Sequence, residues 1–466
     1  MSVATAIRVI AQITQLFVLA RLLTPDDFGL MAMVMVVIVL GQALGDAGIS
    51  NALIHYQNAS RNEISSLYWL NILAATLVCV LVWLAVPLFV EFWHEPRLAN
   101  LIRWALLALF VSPFGMQFQV LLEKELRFRR IAAIETCGAL TSLVVGVATA
   151  LTGSGVYSLV WALISQAAIK AVLLMASGLP RWRPQLRLKW GECSRFLRFG
   201  VFQMGDRVVN QFSSQMDKLM IGAIIGARPL GFYSVSHNLA VRPFVTINPA
   251  VTRVAFPVFS RVQSNDSQLR KGYIQVIELI GAVMFPLYTA IIVLAGPIIR
   301  IGPGPQWEPS IPLLQILGVS GLVLSLGNPI GSLLLAKGRV GMSLAINVVR
   351  IVLDAAAVWI SAPHGITAVA FAILFVRLGV MFPLEFYVRW VLVGMRPGEY
   401  LAAIVPLFLA VVVMGGAMTA LSWLVPWPAE IVRLVACVAA GGAVYATLML
   451  TWQRQRTIRL WTLIRS

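Results

Sequence analysis

Ten polar or charged residues crowd one stretch of an otherwise apolar chain: Gln203, Asp206, Arg207, Asn210, Gln211, Ser213, Ser214, Gln215, Asp217 and Lys218. At the helical repeat Asp206, Asn210 and Asp217 fall near one stripe, and Arg207, Gln211, Ser214 and Lys218 near another. Guanidinium and ammonium groups so placed can hold a phosphate or diphosphate through charge-assisted hydrogen bonds. Carboxylates among them can take up and release a proton or a cation. The competing account is mutual neutralisation, Asp206 with Arg207 and Asp217 with Lys218 through neighbours.

Further charges interrupt other apolar runs. Arg242 stands beside Pro243, Arg350 and Asp354 are four apart, and Glu278, Arg377 and Glu385 stand singly. Gln42 and Asp46 close one run, and Arg8, Gln12 and Gln15 open the chain. The candidate substrate-cavity set is therefore Arg207, Lys218, Arg242, Arg350 and Arg377, with Asn210 and Gln211. The candidate ion-coupling set is Asp46, Asp206, Asp217, Glu278, Asp354 and Glu385. For Arg350 and Asp354 the i,i+4 spacing also reads as a simple pair. The cation excess favours an anionic head group such as a diphosphate.

Catalytic signatures are missing: there is no G-x-x-x-x-G-K, G-x-S-x-G or H-E-x-x-H. Four histidines and four cysteines are scattered, without metal-ligand or C-x-x-C spacing. No enzyme activity, cofactor or metal is expected. Transport would have to run on an ion gradient or the substrate's own gradient.

The elements that hold these residues follow from composition. Of 466 residues, 59% are hydrophobic and only 12% charged, about half the roughly 25% usual for soluble domains. That excludes a soluble enzyme, a disordered chain and a disulfide scaffold. The expected fold is all-α, a polytopic membrane protein. Breaks at Pro, Gly and charge clusters predict about fourteen spans: 3–22, 28–49, 65–92, 99–121, 131–152, 156–178, 197–225, 230–258, 272–296, 311–335, 340–361, 366–393, 400–424 and 430–452. The first span leads straight into the second, so it reads as a membrane helix rather than a cleaved leader. Trp93, Trp182, Trp190, Trp307, Trp427 and Trp452 sit near span ends, as in interfacial belts.

The formal charge of +17 has a bland explanation. Alternate loops carry 21 Lys+Arg against 4 on the opposite side, Arg21, Arg97, Arg228 and Arg300. Positive-inside bias then places both termini in the cytoplasm. Nucleic acid is not an expected partner, because no basic domain lies outside the spans. The tail 453–466 mixes basic residues with Leu460, Trp461 and Ile464, and reads as an anchor on membrane lipids.

Two segments repeat. Residues 22–29, LLTPDDFG, match residues 224–231, IIGARPLG, at a constant offset of 202. At that offset Arg8 matches Asn210 and Gln12 matches Ser214, which places the polar faces of the first and seventh spans on a common cleft. The expected organisation is two parallel lobes of six helices. They are residues 1–180 and 199–394, joined by a basic cytoplasmic linker at 181–198 and followed by an extra helix pair and tail at 395–466.

The segments ARLLTPDDFGL (20–30), DAGISNALI (46–54), YWLN (68–71) and EKELRF (123–128) resemble the bacterial polysaccharide-repeat flippases. They are most similar to the colanic-acid-exporter-like branch of the multidrug/oligosaccharidyl-lipid/polysaccharide superfamily. The resemblance is strong over about the first 180 residues and general beyond. The chain opens a few residues later than such proteins usually do, implying a first helix shortened at its start. The resemblance implies an inner-membrane transporter with alternating access to a central cationic cavity. Its implied substrate is an undecaprenyl-diphosphate-linked oligosaccharide for capsule, exopolysaccharide or O-antigen. A polysaccharide polymerase and other biosynthesis proteins are implied partners. It also implies a turn role for Pro25, a capping role for Asp26 and Asp27, and close packing at Gly29. An ion-coupled multidrug antiporter and a lipid II flippase are the alternatives on the same scaffold. A non-transporting scaffold is disfavoured, since buried charge would serve it no purpose.

Overall fold

The computed structural model describes residues 3–46, 48, 53, 58–262, 265–327, 329–453 and 456. Side chains at 3, 190, 192, 195, 198, 199, 201–203, 206, 249–258, 261 and 340 lie outside the description. The Asp206 side chain and most of the 46–54 motif therefore lie outside the description. The described chain is helical and divides into two compact units, residues 1–231 and 232–466.

The first unit contains α1 (Val3–Leu22), α2 (Pro25–Gly45), α3 (Arg61–Trp93), α4 (Leu98–Lys124), α5 (Phe128–Leu151), α6 (Tyr157–Gly178), α7 (Trp190–Ile224) and the opening of α8 (Ala227–Arg261). α6 packs on α4 and α5, α1 on α5, and α2 on α3, α4 and α7. Helix starts follow local chemistry. Thr24 caps α2, with Pro25 in the first turn, and exchanges hydrogen bonds with Asp27. Ser60 and Glu63 form the same reciprocal cap on α3.

The helix breaks recur at the offset of 202. α1 ends at Leu22 and α7 at Ile224; α2 starts at Pro25 and α8 at Ala227. The second turn is made by Gly226 at φ +98°, a conformation that favours glycine. The two turns also meet. A Cβ on Gly29 would overlap the Ala227 carbonyl, and one on Gly231 would overlap the Pro25 carbonyl. Gly29 and Gly231 are repeat mates, as are Pro25 and Ala227, so the contact is reciprocal. Glycine here permits backbone to touch backbone.

α7 starts at Trp190, several residues before the expected 197, so the second half of the expected linker is helical. Cys193 and Phe196, three apart, are fully buried in the apolar cluster with Ile64, Tyr68, Phe118 and Trp182. Arg181, Arg183, Arg187 and Lys189 stay in the loop before α7, and Arg195 and Arg198 fall within the helix. Cys193 is a core residue.

The second unit contains the rest of α8, then α9 (Asp266–Val293), the short α10 (Ala295–Ile301), α11 (Ser310–Gly327), α12 (Pro329–Ala336), α13 (Val340–Ser361), α14 (Ile366–Phe375), a π-helical segment (Val376–Met381), α15 (Phe382–Val393), α16 (Pro397–Leu424) and α17 (Glu430–Thr451). α9 packs on α11 and α16, α16 on α17, and α14 on α11 and α13. Asn265 caps α9, accepting from the Gln268 N–H at 3.1 Å. One expected span is irregular: the one at 366–393 carries the π segment just before Pro383. A proline withholds one backbone donor, which shifts the local hydrogen-bond register.

Among the described residues, twelve helical segments are long and apolar enough to cross a membrane. α7 and α8, 35 residues each and the most polar in the sequence, are not among them. The chain is a polytopic membrane protein. Three tryptophans expected in an interfacial belt are core residues instead: Trp93, Trp182 and Trp307 are at most 7% exposed. The Trp93 N–H donates to the Leu219 carbonyl at 3.2 Å, and Trp182 packs its ring edge on Tyr68. Burial is tolerated because the rings are apolar, and for Trp93 because its N–H has an acceptor.

Candidate functional site

The polar residues divide into two groups, each within one unit. In the first unit Arg207 of α7 is ion-paired with Asp46, whose carboxylate is only 2% exposed at the end of α2. Lys218 Nζ donates to Gln215 Oε1 at 3.2 Å, and the Lys218 N–H donates to Asp217 Oδ1 at 2.8 Å. Gln211 is half-buried; its carbonyl accepts from the Ser214 hydroxyl at 2.8 Å. Asn210 and Ser214 are exposed. A helix in a membrane protein presents such groups to water, protein or polar head groups, not to hydrocarbon.

α1 uses its polar residues differently from the expectation of a shared cleft. Arg8 is ion-paired with Glu135 of α5, and Gln15 Nε2 donates to Ser142 Oγ at 3.0 Å, also on α5. Pairing between adjacent helices satisfies groups that lipid would leave bare.

In the second unit four sequence candidates come together. Arg350 of α13 lies within Coulombic range of Arg377, Asp354 and Glu385. Glu385 of α15 in turn faces Arg389, Arg350 and Arg377. Its carboxylate rests on Gly327, where a Cβ would come within 2.7 Å of either oxygen. Gly327 lies on α11, and Arg377 lies in the π segment. The π segment thus carries one member of the charge cluster, a common setting for functional sites. Among the described residues, the buried Nε of Arg377 has no hydrogen-bond partner.

Three residues central to this cluster were not singled out from sequence. Arg389 is fully buried, donates through Nη2 to Glu385 at 2.9 Å and through Nε to the Tyr273 hydroxyl at 2.9 Å. Its guanidinium stacks 4.8 Å from the Tyr400 ring centre and 5.8 Å from that of Tyr273. The i,i+4 spacing of Glu385 and Arg389 was the available signal. Nothing in the spacing of Tyr273 or Tyr400 pointed to them.

The remaining candidates stand apart from the cluster. Arg242 is half-buried on α8. Glu278 of α9 is buried and ion-paired with Arg456 at 3.1 Å, which also donates to the Ala402 carbonyl. Outside the spans, Arg97 holds the Glu95 carboxyl below the usual carboxylate range by hydrogen bonds of 2.8 and 2.9 Å.

The Asp46–Arg207 pair makes a direct prediction. Asp46→Asn and Arg207→Gln should each lower stability, and a double-mutant cycle should return a coupling of about 0.5–3 kcal/mol. Additive losses in detergent unfolding would show that the two groups do not meet.

Comparison with known proteins adds lineage to this geometry. Residues 18–312 match the family described as polysaccharide biosynthesis protein. The chain is 34% identical over 349 residues to the lipopolysaccharide biosynthesis protein WzxC of Escherichia coli (strain K12), covering 75% of this chain and 71% of that protein. It is 30% identical over 342 residues to the teichuronic acid biosynthesis protein TuaB of Bacillus subtilis (strain 168), covering 73% and 71%. The fold is similar to that of the lipid II flippase MurJ in an inward closed conformation, with a TM-score of 0.80, 13% identity, and coverage of 97% and 98%. On these matches the chain belongs to the polysaccharide biosynthesis protein family, built on the fold of a membrane flippase.

Proposed function

We propose that the protein flips undecaprenyl-diphosphate-linked oligosaccharide repeat units across the bacterial inner membrane for exopolysaccharide, capsule or O-antigen synthesis. It does so as a transporter, without catalysis. The observation that carries this reading is membership of a polysaccharide biosynthesis family on a lipid-flippase fold. The same membership weighs against the multidrug antiporter, and relatives of 30–34% identity favour the polysaccharide branch over lipid II.

The two offset repeats support two like-oriented lobes that alternate in access. The expected fourteen spans put both termini in the cytoplasm. Two of the four cations on the sparse side are held by carboxylates. Arg97 pairs with Glu95, and Arg300 pairs with Glu308 at 3.0 Å and Glu430 at 3.1 Å. Lys218, Arg242, Arg350 and Arg377, with Asn210 and Gln211, are the proposed diphosphate contacts, and Glu385 with Asp354 the proposed coupling carboxylates. Asp46 and Glu278 serve better as ion-pair partners of Arg207 and Arg456. Polymerase and other biosynthesis proteins would act on the delivered repeats.

Removing the protein should accumulate complete lipid-linked repeat units on the cytoplasmic leaflet and abolish surface polymer. Lys218→Ala should restore membrane abundance but not polymer. Normal polymer after removal, with altered sensitivity to cationic drugs, would overturn the reading.

A further inference from the structure

Two neighbouring segments of the first unit, the 125–130 turn into α5 and the 181–189 loop, combine exposed cations with exposed apolar side chains. α4 ends in a left-handed turn in which the Arg127 N–H donates to the Leu122 carbonyl at 2.9 Å. Such a turn favours glycine at its positive-φ position. Here that position is Leu126, at φ +56° and 73% exposed. A leucine there strains the backbone and buries nothing within the protein. Phe128, two residues on, is 52% exposed.

The second loop is held flat against the end of α3 by its backbone. The Trp69 indole donates to the Gln185 carbonyl at 2.8 Å, the Gln185 N–H to Ser65 Oγ at 3.2 Å, and the Lys189 N–H to Ser66 Oγ at 3.3 Å. This fixes the chain and leaves Leu186 91% and Leu188 49% exposed. Arg181 reaches Glu125 at 3.4 Å, so the two loops adjoin. Glu125 also pairs with Arg127 at 2.8 Å. Among the described residues, no carboxylate pairs with Arg129, Arg130, Arg183 or Lys189, all exposed.

We propose that the 125–130 turn and the 181–189 loop form a platform for anionic phospholipid of the adjoining leaflet. Leu126, Phe128, Leu186 and Leu188 enter the acyl boundary, and Arg129, Arg130, Arg183 and Lys189 contact the phosphates. Apolar side chains beside uncompensated cations are what an anionic membrane surface accepts. The inference rests on the protein being polytopic, not on the flippase reading.

The test uses the full chain in nanodiscs, with Cys79→Ala and Cys137→Ala, and a bimane probe on Leu186→Cys. Acyl-brominated phosphatidylglycerol at low fraction in phosphatidylcholine should quench the probe several-fold more than brominated phosphatidylcholine at the same fraction. The preference should fall with salt, and Arg183→Gln with Lys189→Gln should reduce it by roughly fivefold per charge removed. Leu126→Gly should relieve the turn and stabilise the protein in detergent while weakening lipid retention. Equal quenching by both lipids would overturn the proposal. So would a probe unquenched by either, which would assign the patch to a soluble partner. Loss of the preference on adding undecaprenyl diphosphate would assign it to substrate instead. Nanodiscs expose both faces, so the outcome does not depend on transport or orientation.

Discussion

Arg389→Leu should destabilise the second unit by about 3–5 kcal/mol, the range for removing one partner of a buried ion pair. The side chain is fully buried, and its loss strips Glu385 and the Tyr273 hydroxyl of a donor at once. Arg389→Lys should recover only part of the loss. An ammonium is a point charge, unable to serve Glu385, Tyr273 and the Tyr400 face together. Arg389→Leu combined with Glu385→Leu should also recover only part, because Arg350 and Arg377 then lose the carboxylate they face. The measurement is the thermal unfolding midpoint in detergent with membrane abundance alongside. An unchanged midpoint for Arg389→Leu would dismiss the cluster as an organising element.

Gly29→Leu and Gly231→Leu should each be as damaging as severe overpacking, about 1–3 kcal/mol or more. The obstructing atoms are backbone carbonyls of Ala227 and Pro25, which cannot rotate away as a side chain would. Because the two contacts share one interface, prising it open once relieves both. The double variant should therefore cost little more than either single one, in place of the sum expected for independent sites. Strict additivity would show that the turns do not grip each other reciprocally. Alanine at either position already introduces the clashing Cβ and should report the same non-additivity at smaller amplitude.

Much of the architecture is legible in one dimension. Long uncharged runs mark the spans because hydrocarbon leaves a backbone no partner but itself. The turn at residues 22–29 announces its cap through Thr24, Pro25 and Asp27, whose interactions are local in sequence. The offset of 202 is likewise visible, and the helix breaks obey it. Less legible were where a basic stretch turns into helix and which tryptophans are interior. α7 begins inside the basic stretch, because Cys193 and Phe196 find a core there, and Trp93, Trp182 and Trp307 are interior. Composition records how polar a residue is but not which neighbour satisfies it.

The same limit divides the candidate site. Residue type and spacing identified Arg207, Lys218, Arg350, Arg377 and Glu385 as costly in a membrane and so in need of partners. Sequence by itself thus determined the class of protein, the helical framework and which side chains require explanation. Tertiary structure decided the pairings: Asp46 with Arg207 across 161 residues, Glu278 with the tail at Arg456, and Glu385 and Tyr273 with the unforeseen Arg389. The physical reason is range. Capping and hydropathy act between neighbours in the chain, whereas an ion pair in low dielectric is set by which helices pack side by side.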